Sequence, residues 1–260
     1  EDSVDGFCIG GLLSGTAGAL PEELCALTAS VRRASQKPLF AMIFPDVTVE
    51  AFEMTRAVAD GGAKAILVAE PHYLCQPDEC GLVEMFAELR KSVSCSLLFA
   101  DCFAEARIAT KTITNLIAKR LVDGVFEAAD AHSLVDLLAL HPNVPVYSGI
   151  EDLHYVAFML GAHGAISDLG TVFPRELGRV YRSVQNHEHQ DARFEHERLV
   201  RLWRVLSSRT QSEARLRSAL GALNRKTGVA RSPQSALPNE VGHEIAATLR
   251  REGLLRAPLA

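Results

Sequence analysis

Short, almost unbroken apolar runs recur along the chain, each followed by a longer segment with helical spacing of its apolar positions. The runs cover residues 6–10, 38–44, 63–69, 95–100, 122–126, 144–148 and 164–167. Four to seven consecutive apolar residues suit parallel strands buried on both faces, where no polar alternation is needed. The stretches between them carry helix signals. Pro21-Glu22-Glu23 opens one with a fixed φ and acids in the first turn, and Thr48 and Asp78 begin others. Gly61-Gly62 and Gly161 stop helices ahead of the next strand. Seven such units predict an α/β fold, either a (β/α)8 barrel short of one unit or a doubly wound sheet. No Gly-x-Gly-x-x-Gly follows a strand, which counts against a dinucleotide-binding sheet.

From about His187 the strands stop. Three amphipathic segments, at roughly 191–206, 211–226 and 239–253, alternate Arg and Glu with Leu, Val and the single Trp203. The expected organisation is a barrel over 1–186 and a helical extension over 187–260 that packs on the barrel or on a partner chain. The loop 232–238 separates its last two helices.

Composition narrows the function classes. The 260 residues carry a formal charge of −5, with 48% hydrophobic and 23% charged residues, ordinary for a protein with a substantial core. That balance gives no electrostatic footprint for nucleic acid or anionic lipid. No apolar run approaches the roughly 18 residues that span a bilayer, and no signal-peptide pattern opens the chain. The first residue is Glu1 rather than Met, which leaves room for an upstream segment. Cys8, Cys25, Cys75, Cys80, Cys95 and Cys102 form no Cys-x-x-Cys pair. They read as reduced thiols of a cytoplasmic protein rather than a disulfide framework or zinc site.

The order and wording of the units resemble the dihydrodipicolinate synthase / N-acetylneuraminate lyase family. Gly161-Ala-His-Gly-Ala-Ile-Ser167 with Pro174 looks like that family's eighth strand and loop, and Ser148-Gly149 with the acids after it like the end of the seventh. Val122-Asp-Gly-Val-Phe-Glu-Ala128 resembles the sixth, where the family reads Ile-x-Gly-Ile-Lys-Glu-Ala. Pro71-His-Tyr73, with Pro77 and Gly81-Leu82 beyond, resembles the Pro-Tyr-Tyr loop after the fourth. The resemblance implies a (β/α)8 TIM barrel with a C-terminal three-helix extension, spanning essentially the whole chain but starting at the family's second strand. It also implies Schiff-base aldolase chemistry on pyruvate or another 2-oxo acid, and assembly as a homodimer or homotetramer.

The residues of that chemistry do not carry over. Phe126 stands where the resemblance puts the lysine, and a phenyl ring has no lone pair to add to a carbonyl. Phe99 stands in place of the catalytic tyrosine, and Leu13 in place of the relay threonine. Ser14 keeps the character of the signature after the first run, and Tyr73 alone of the relay is retained. The carboxylate-binding arginine falls near Ala104, with Arg107 three residues on as a substitute. None of the six lysines is placed at a strand exit.

The expected pocket is therefore built from Ser14, Tyr73, Phe99, Asp101, Arg107, Phe126 and Ile166. Asp101 is expected in it as lying two residues beyond Phe99 on the same face. Glu127 is expected to point away from the interior, because Phe126 points in. Glu70, Asp101, Glu127, Glu151, Asp152 and Asp168 gather near the strand exits. Four of them, Glu70, Asp101, Asp152 and Asp168, could hold a divalent metal, and all six could instead cap the helices that follow. His72 and His154 read as loop hydrogen-bonders, the polar cluster around His187, His189 and His196 as a solvated turn, and Cys102 has no base beside it.

Three functions follow. The first is a non-catalytic relative of the pyruvate aldolases that needs no cofactor and binds a small ligand or regulates. The second is a 2-oxo-acid lyase working through strand-end carboxylates and a metal. The third is a scaffold subunit whose pocket is filled by Phe99, Phe126 and Leu13.

Overall fold

The computed structural model describes residues 3–71, 73–208 and 210–255, and the side chain of Tyr73 is outside that description. Seven parallel strands form one sheet in chain order: β1 (Phe7–Ile9), β2 (Leu39–Ile43), β3 (Ala65–Ala69), β4 (Ser96–Asp101), β5 (Gly124–Glu127), β6 (Val146–Ser148) and β7 (Gly164–Ala165). Six helices cross between them: α1 (Pro21–Ala34), α2 (Thr48–Asp60), α3 (Glu79–Ser92), α4 (Thr110–Ala118), α5 (Ala131–Leu140) and α6 (His154–Met159). After β7 come α7 (Asp168–Val172), α8 (Pro174–Gln185), α9 (His189–Leu206), α10 (Ser212–Ala222) and α11 (Asn239–Arg251). Among the described residues, no helix is long and apolar enough to cross a membrane.

Local sequence sets several of these boundaries. Pro21 begins α1 with Glu22 and Glu23 in its first turn, and the Glu23 carboxylate accepts the Leu20 amide at 2.9 Å. The Asp78 carboxylate caps α3 by accepting the Gly81 amide at 2.8 Å. Gly61 and Gly62, the latter at φ +99°, end α2 and turn the chain into β3.

The strands present two apolar faces, and these form two separate cores. One contains only strand and strand-end residues: Cys8, Phe40, Met42, Leu67, Ala69, Leu98, Ala100, Phe126, Tyr147 and Ile166 among them. The other joins Ile43, Val68, Phe99, Val125 and Val146 to Leu24, Val58, Phe86, Leu116 and Leu137 of the helices. The first face is therefore the concave interior and the second the convex, helix-covered side. The rings of Phe40 on β2 and Tyr147 on β6 meet edge to face at 5.9 Å, which requires the sheet to curl until non-adjacent strands face each other. The result is the TIM-barrel-like layout, with β1 and β7 each paired on one side among the described residues.

The C-terminal helices share the convex core through Leu199, Leu202 and Leu206 of α9, Leu216 of α10 and Ile245 and Leu249 of α11. Two arginines of the α10–α11 loop fasten it over the strand exits. Arg225 donates to the carbonyls of Thr171 and Val172, and Arg231 to Gly18 and the Glu23 carboxylate. Gly15, at φ +73°, lies so close to Glu213 of α10 that a Cβ would sit 2.7 Å from its carboxylate oxygens. The extension thus reaches the rim of the barrel.

Because Phe99 is wholly buried against the helices, Phe99→Ala is expected to cost about 3–5 kcal/mol of stability in chemical denaturation.

Candidate ligand site at the barrel mouth

Active sites of such barrels form where the strands exit, so the upper rows of β3 to β7 define what this chain can do. Register sets Ala69, Ala100, Phe126, Tyr147 and Gly164 in one row, all on the interior side. Phe126 is 1% exposed, and its ring leans over Gly149, where a Cβ would lie 2.2 Å from the ring tip. A buried aromatic ring therefore stands in the barrel interior at the position the resemblance gives to the lysine. Lys64, Lys91, Lys111, Lys119 and Lys226 are exposed, and Lys37 bonds the Val4 carbonyl at the opposite end of the barrel. Among the described residues no lysine amine enters the interior.

Beside Phe126 a cavity of about 240 Å³ opens at the mouth. Its walls come from Leu12 and Leu13 after β1, Ala128 after β5, Gly149–Asp152 after β6, Asp168 after β7, and Trp203 of α9. Asp168 accepts the Leu13 amide, and burial, then the charge of Glu151, pushes its carboxyl up to about 7. Glu151 is otherwise committed. It accepts from Ser167 Oγ and the Asp168 amide at 2.6 Å each, and its other close partner is His154 Nε2 at 3.0 Å. Burial, then the Asp168 charge, raises the Cys8 thiol in the interior to about 12, so it stays protonated.

One row above Phe126, facing the convex side, lie Glu70, Asp101, Glu127 and Ser148, all buried beneath the loops. Glu70 accepts the Cys102 amide at 2.9 Å and also that of Phe103, while Glu127 accepts the amides of Ala129 and Asp130 at 2.9 Å. Asp101 lies between them with neither oxygen in a hydrogen bond of ordinary geometry, although the Ile108 amide and the Glu70 carboxyl are close. Among the described residues no cation is buried with the trio: Arg107 is half-exposed and pairs with Asp130 at 2.5 Å. Burial foremost, then the neighbouring carboxylates, raises Asp101, and burial raises Glu70 and takes Glu127 to about 8.

Several expected pocket residues are elsewhere. Phe99 does not line the interior; its ring packs 5.8 Å from that of Phe86 on α3, and Ala100 is the β4 residue level with Phe126. Asp101 shares the outward parity of Phe99 and is correspondingly absent from the cavity. Arg107 is held by Asp130, and Ser14 is an exposed turn residue bonded to the Gly11 carbonyl and Thr16 at 2.6 Å. Ile166 packs on the interior cluster and Leu13 lines the cavity. His72 and the side chain of Tyr73 lie outside the described residues. The four metal candidates are split, with Glu70 and Asp101 in the buried row and Asp152 and Asp168 at the cavity. Among the described residues no three His, Cys, Asp or Glu side chains form a metal-holding group.

Several cavity residues escape sequence reasoning, Leu12, Ile150 and Trp203 among them. Leu12 has the same character as its neighbours, and Trp203 sits about 80 residues beyond β5 on an amphipathic helix that reads as packing surface. That Trp203 is the only tryptophan was the one signal available.

The fold defines a TIM-barrel-like protein, and comparison with known proteins identifies its family. The Dihydrodipicolinate synthetase family model matches residues 30–252, and the chain belongs to that family. The 4-hydroxy-tetrahydrodipicolinate synthase of Brachyspira hyodysenteriae is 21% identical over 258 residues, covering 97% of this chain and 87% of that protein. The synthase of Corynebacterium aurimucosum is 30% identical over 181 residues, or 65% of this chain and 59% of that one. Dihydrodipicolinate synthase from Aquifex aeolicus superposes with TM-score 0.87 at 22% identity, over 96% of this chain and 87% of that one. A prophage protein of the same family from E. coli K12, solved with pyruvate, superposes with TM-score 0.88 at 20% identity, over 96% and 88%.

The raised carboxyls of the buried row make stability depend on pH. The folded state holds protons that the unfolded chain releases near pH 4, so stability is full below that pH and falls as pH rises to about 8. Melting temperature is expected to drop between pH 5 and 8.5. Asp101→Asn is expected to flatten that slope and to raise stability at pH 8.5 by about 1–3 kcal/mol.

Proposed function

We propose that this chain is a dihydrodipicolinate synthase-family protein without Schiff-base aldol or lyase activity, which binds a small ligand or regulates through its barrel mouth. The observation that carries the reading is the Phe126 ring in the barrel interior, packed against Gly149, with all six lysines elsewhere. A Schiff base needs a neutral amine within reach of the carbonyl carbon, and an aromatic carbon cannot supply the electron pair. Ala100, level with Phe126 on β4, has no hydroxyl to relay a proton, and neither has Leu13.

The cavity of about 240 Å³ at the mouth favours ligand binding over a purely scaffolding role, because the buried Phe126 ring leaves that space open. The division of the acids between the buried row and the cavity weighs against the metal-dependent lyase. A homodimeric or homotetrameric assembly in the cytoplasm completes the proposal. Exposed Val156, Met159 and Leu160 at and just after α6 support a self-contact, and six free cysteines support a reducing compartment.

Incubation with pyruvate and borohydride, followed by intact-mass measurement, is expected to leave the mass unchanged. A pyruvyl adduct on any lysine would overturn the reading.

A further inference from the structure

The mouth cavity has a chemical character of its own, and it is not that of a site for an anionic ligand. Among its described lining residues there is no Lys, Arg or His. Two acids face it with capacity to spare, since Glu151 is spent on Ser167, His154 and the Asp168 amide. Asp152 has only a loose, exposed pairing with Arg204 at 3.7 Å. Asp168 takes part in no ion pair among the described residues, and its one protein donor is the Leu13 amide. Gly11 leaves it uncovered on that side, for a Cβ there would already stand 3.3 Å from Oδ1. The remaining walls are apolar (Leu12, Leu13 and Ile150) or aromatic, from Trp203.

A carboxylate-bearing ligand would bring like charge beside Asp168 in a half-buried setting, where such repulsion is poorly screened. An ammonium group would supply the missing countercharge, and an indole face attracts cations as well. We propose that the mouth cavity binds a small organic cation, a primary amine with a short branched apolar body, with its ammonium at Asp168 and its body against Leu12, Ile150 and Trp203. This deepens the non-catalytic reading above and rests on it, because it replaces the 2-oxo acid as the ligand class. The rise of the Asp168 carboxyl to about 7 agrees with a carboxylate that has no cation of its own.

The single tryptophan lines the cavity, so intrinsic fluorescence of the whole chain reports occupancy. Three probes share one isobutyl body and differ in the head: isobutylammonium, isobutanol and isovalerate. With so few heavy atoms, affinities in the millimolar range are expected. The predicted order is ammonium tightest, alcohol weaker and carboxylate weakest, with at least a tenfold gap between the ends. Asp168→Asn, which keeps an oxygen for the Leu13 amide, is expected to remove that gap. The probe series on the unmodified chain decides the matter even if the variant does not fold. Equal or reversed order, no saturable response to isobutylammonium, or a gap unchanged in a folded Asp168→Asn protein would overturn the proposal. Failure of the non-catalytic reading shows separately, as a borohydride-trapped pyruvyl mass.

Discussion

A single close approach organises the upper half of this barrel: the Phe126 ring over the backbone of Gly149. Strand β5 has one interior residue at that height, and it is a buried aromatic whose tip occupies the space a side chain on β6 would need. Glycine is the residue that lets the two coexist. The ring, with Tyr147 and Phe40, belongs to the packed interior of the sheet. A cavity lies between the loops after β1, β6 and β7 and the indole of Trp203.

The acids divide along the same geometry. Strand parity sends Glu70, Asp101 and Glu127 to the convex side, where Glu70 and Glu127 satisfy loop amides and Asp101 is left between them. Buried carboxyls without cations hold their protons, since the neutral form costs far less to desolvate than the charged one. This row is best understood as loop anchoring whose strength depends on pH. Asp152 in the loop after β6 and Asp168 at the start of α7 escape strand parity and line the cavity, and they give the mouth its negative character.

The fold was legible because long apolar runs, first-turn acids and glycine stops are local signals. All seven strands fall within or beside the apolar runs, and α9, α10 and α11 within a few residues of the predicted tail segments. Which way each strand residue faces was not. In Leu97-Leu-Phe-Ala100 every position is apolar, so nothing of period two distinguishes interior from exterior. The resemblance sets Phe99 in the pocket and Asp101 with it, two residues on, but register with Phe126 places both on the other face. Glu127 could be oriented in advance because its neighbour Phe126 had been. Arg107 and Trp203 were beyond local reasoning, for their partners Asp130 and the mouth are 23 and more than 30 residues away.

The ring's position over Gly149 in the barrel interior is tested most directly by a double-mutant cycle between Gly149 and Phe126. In the unmodified background, Gly149→Ala should destabilise by about 1–3 kcal/mol, because its methyl meets the ring and, at 2.7 Å, the Ala128 methyl. With Phe126→Leu the ring is gone and only the Ala128 contact remains, so at least about half of that cost should disappear. An identical cost in both backgrounds would show that the aromatic does not stand over Gly149, and the account of a plugged barrel would fail.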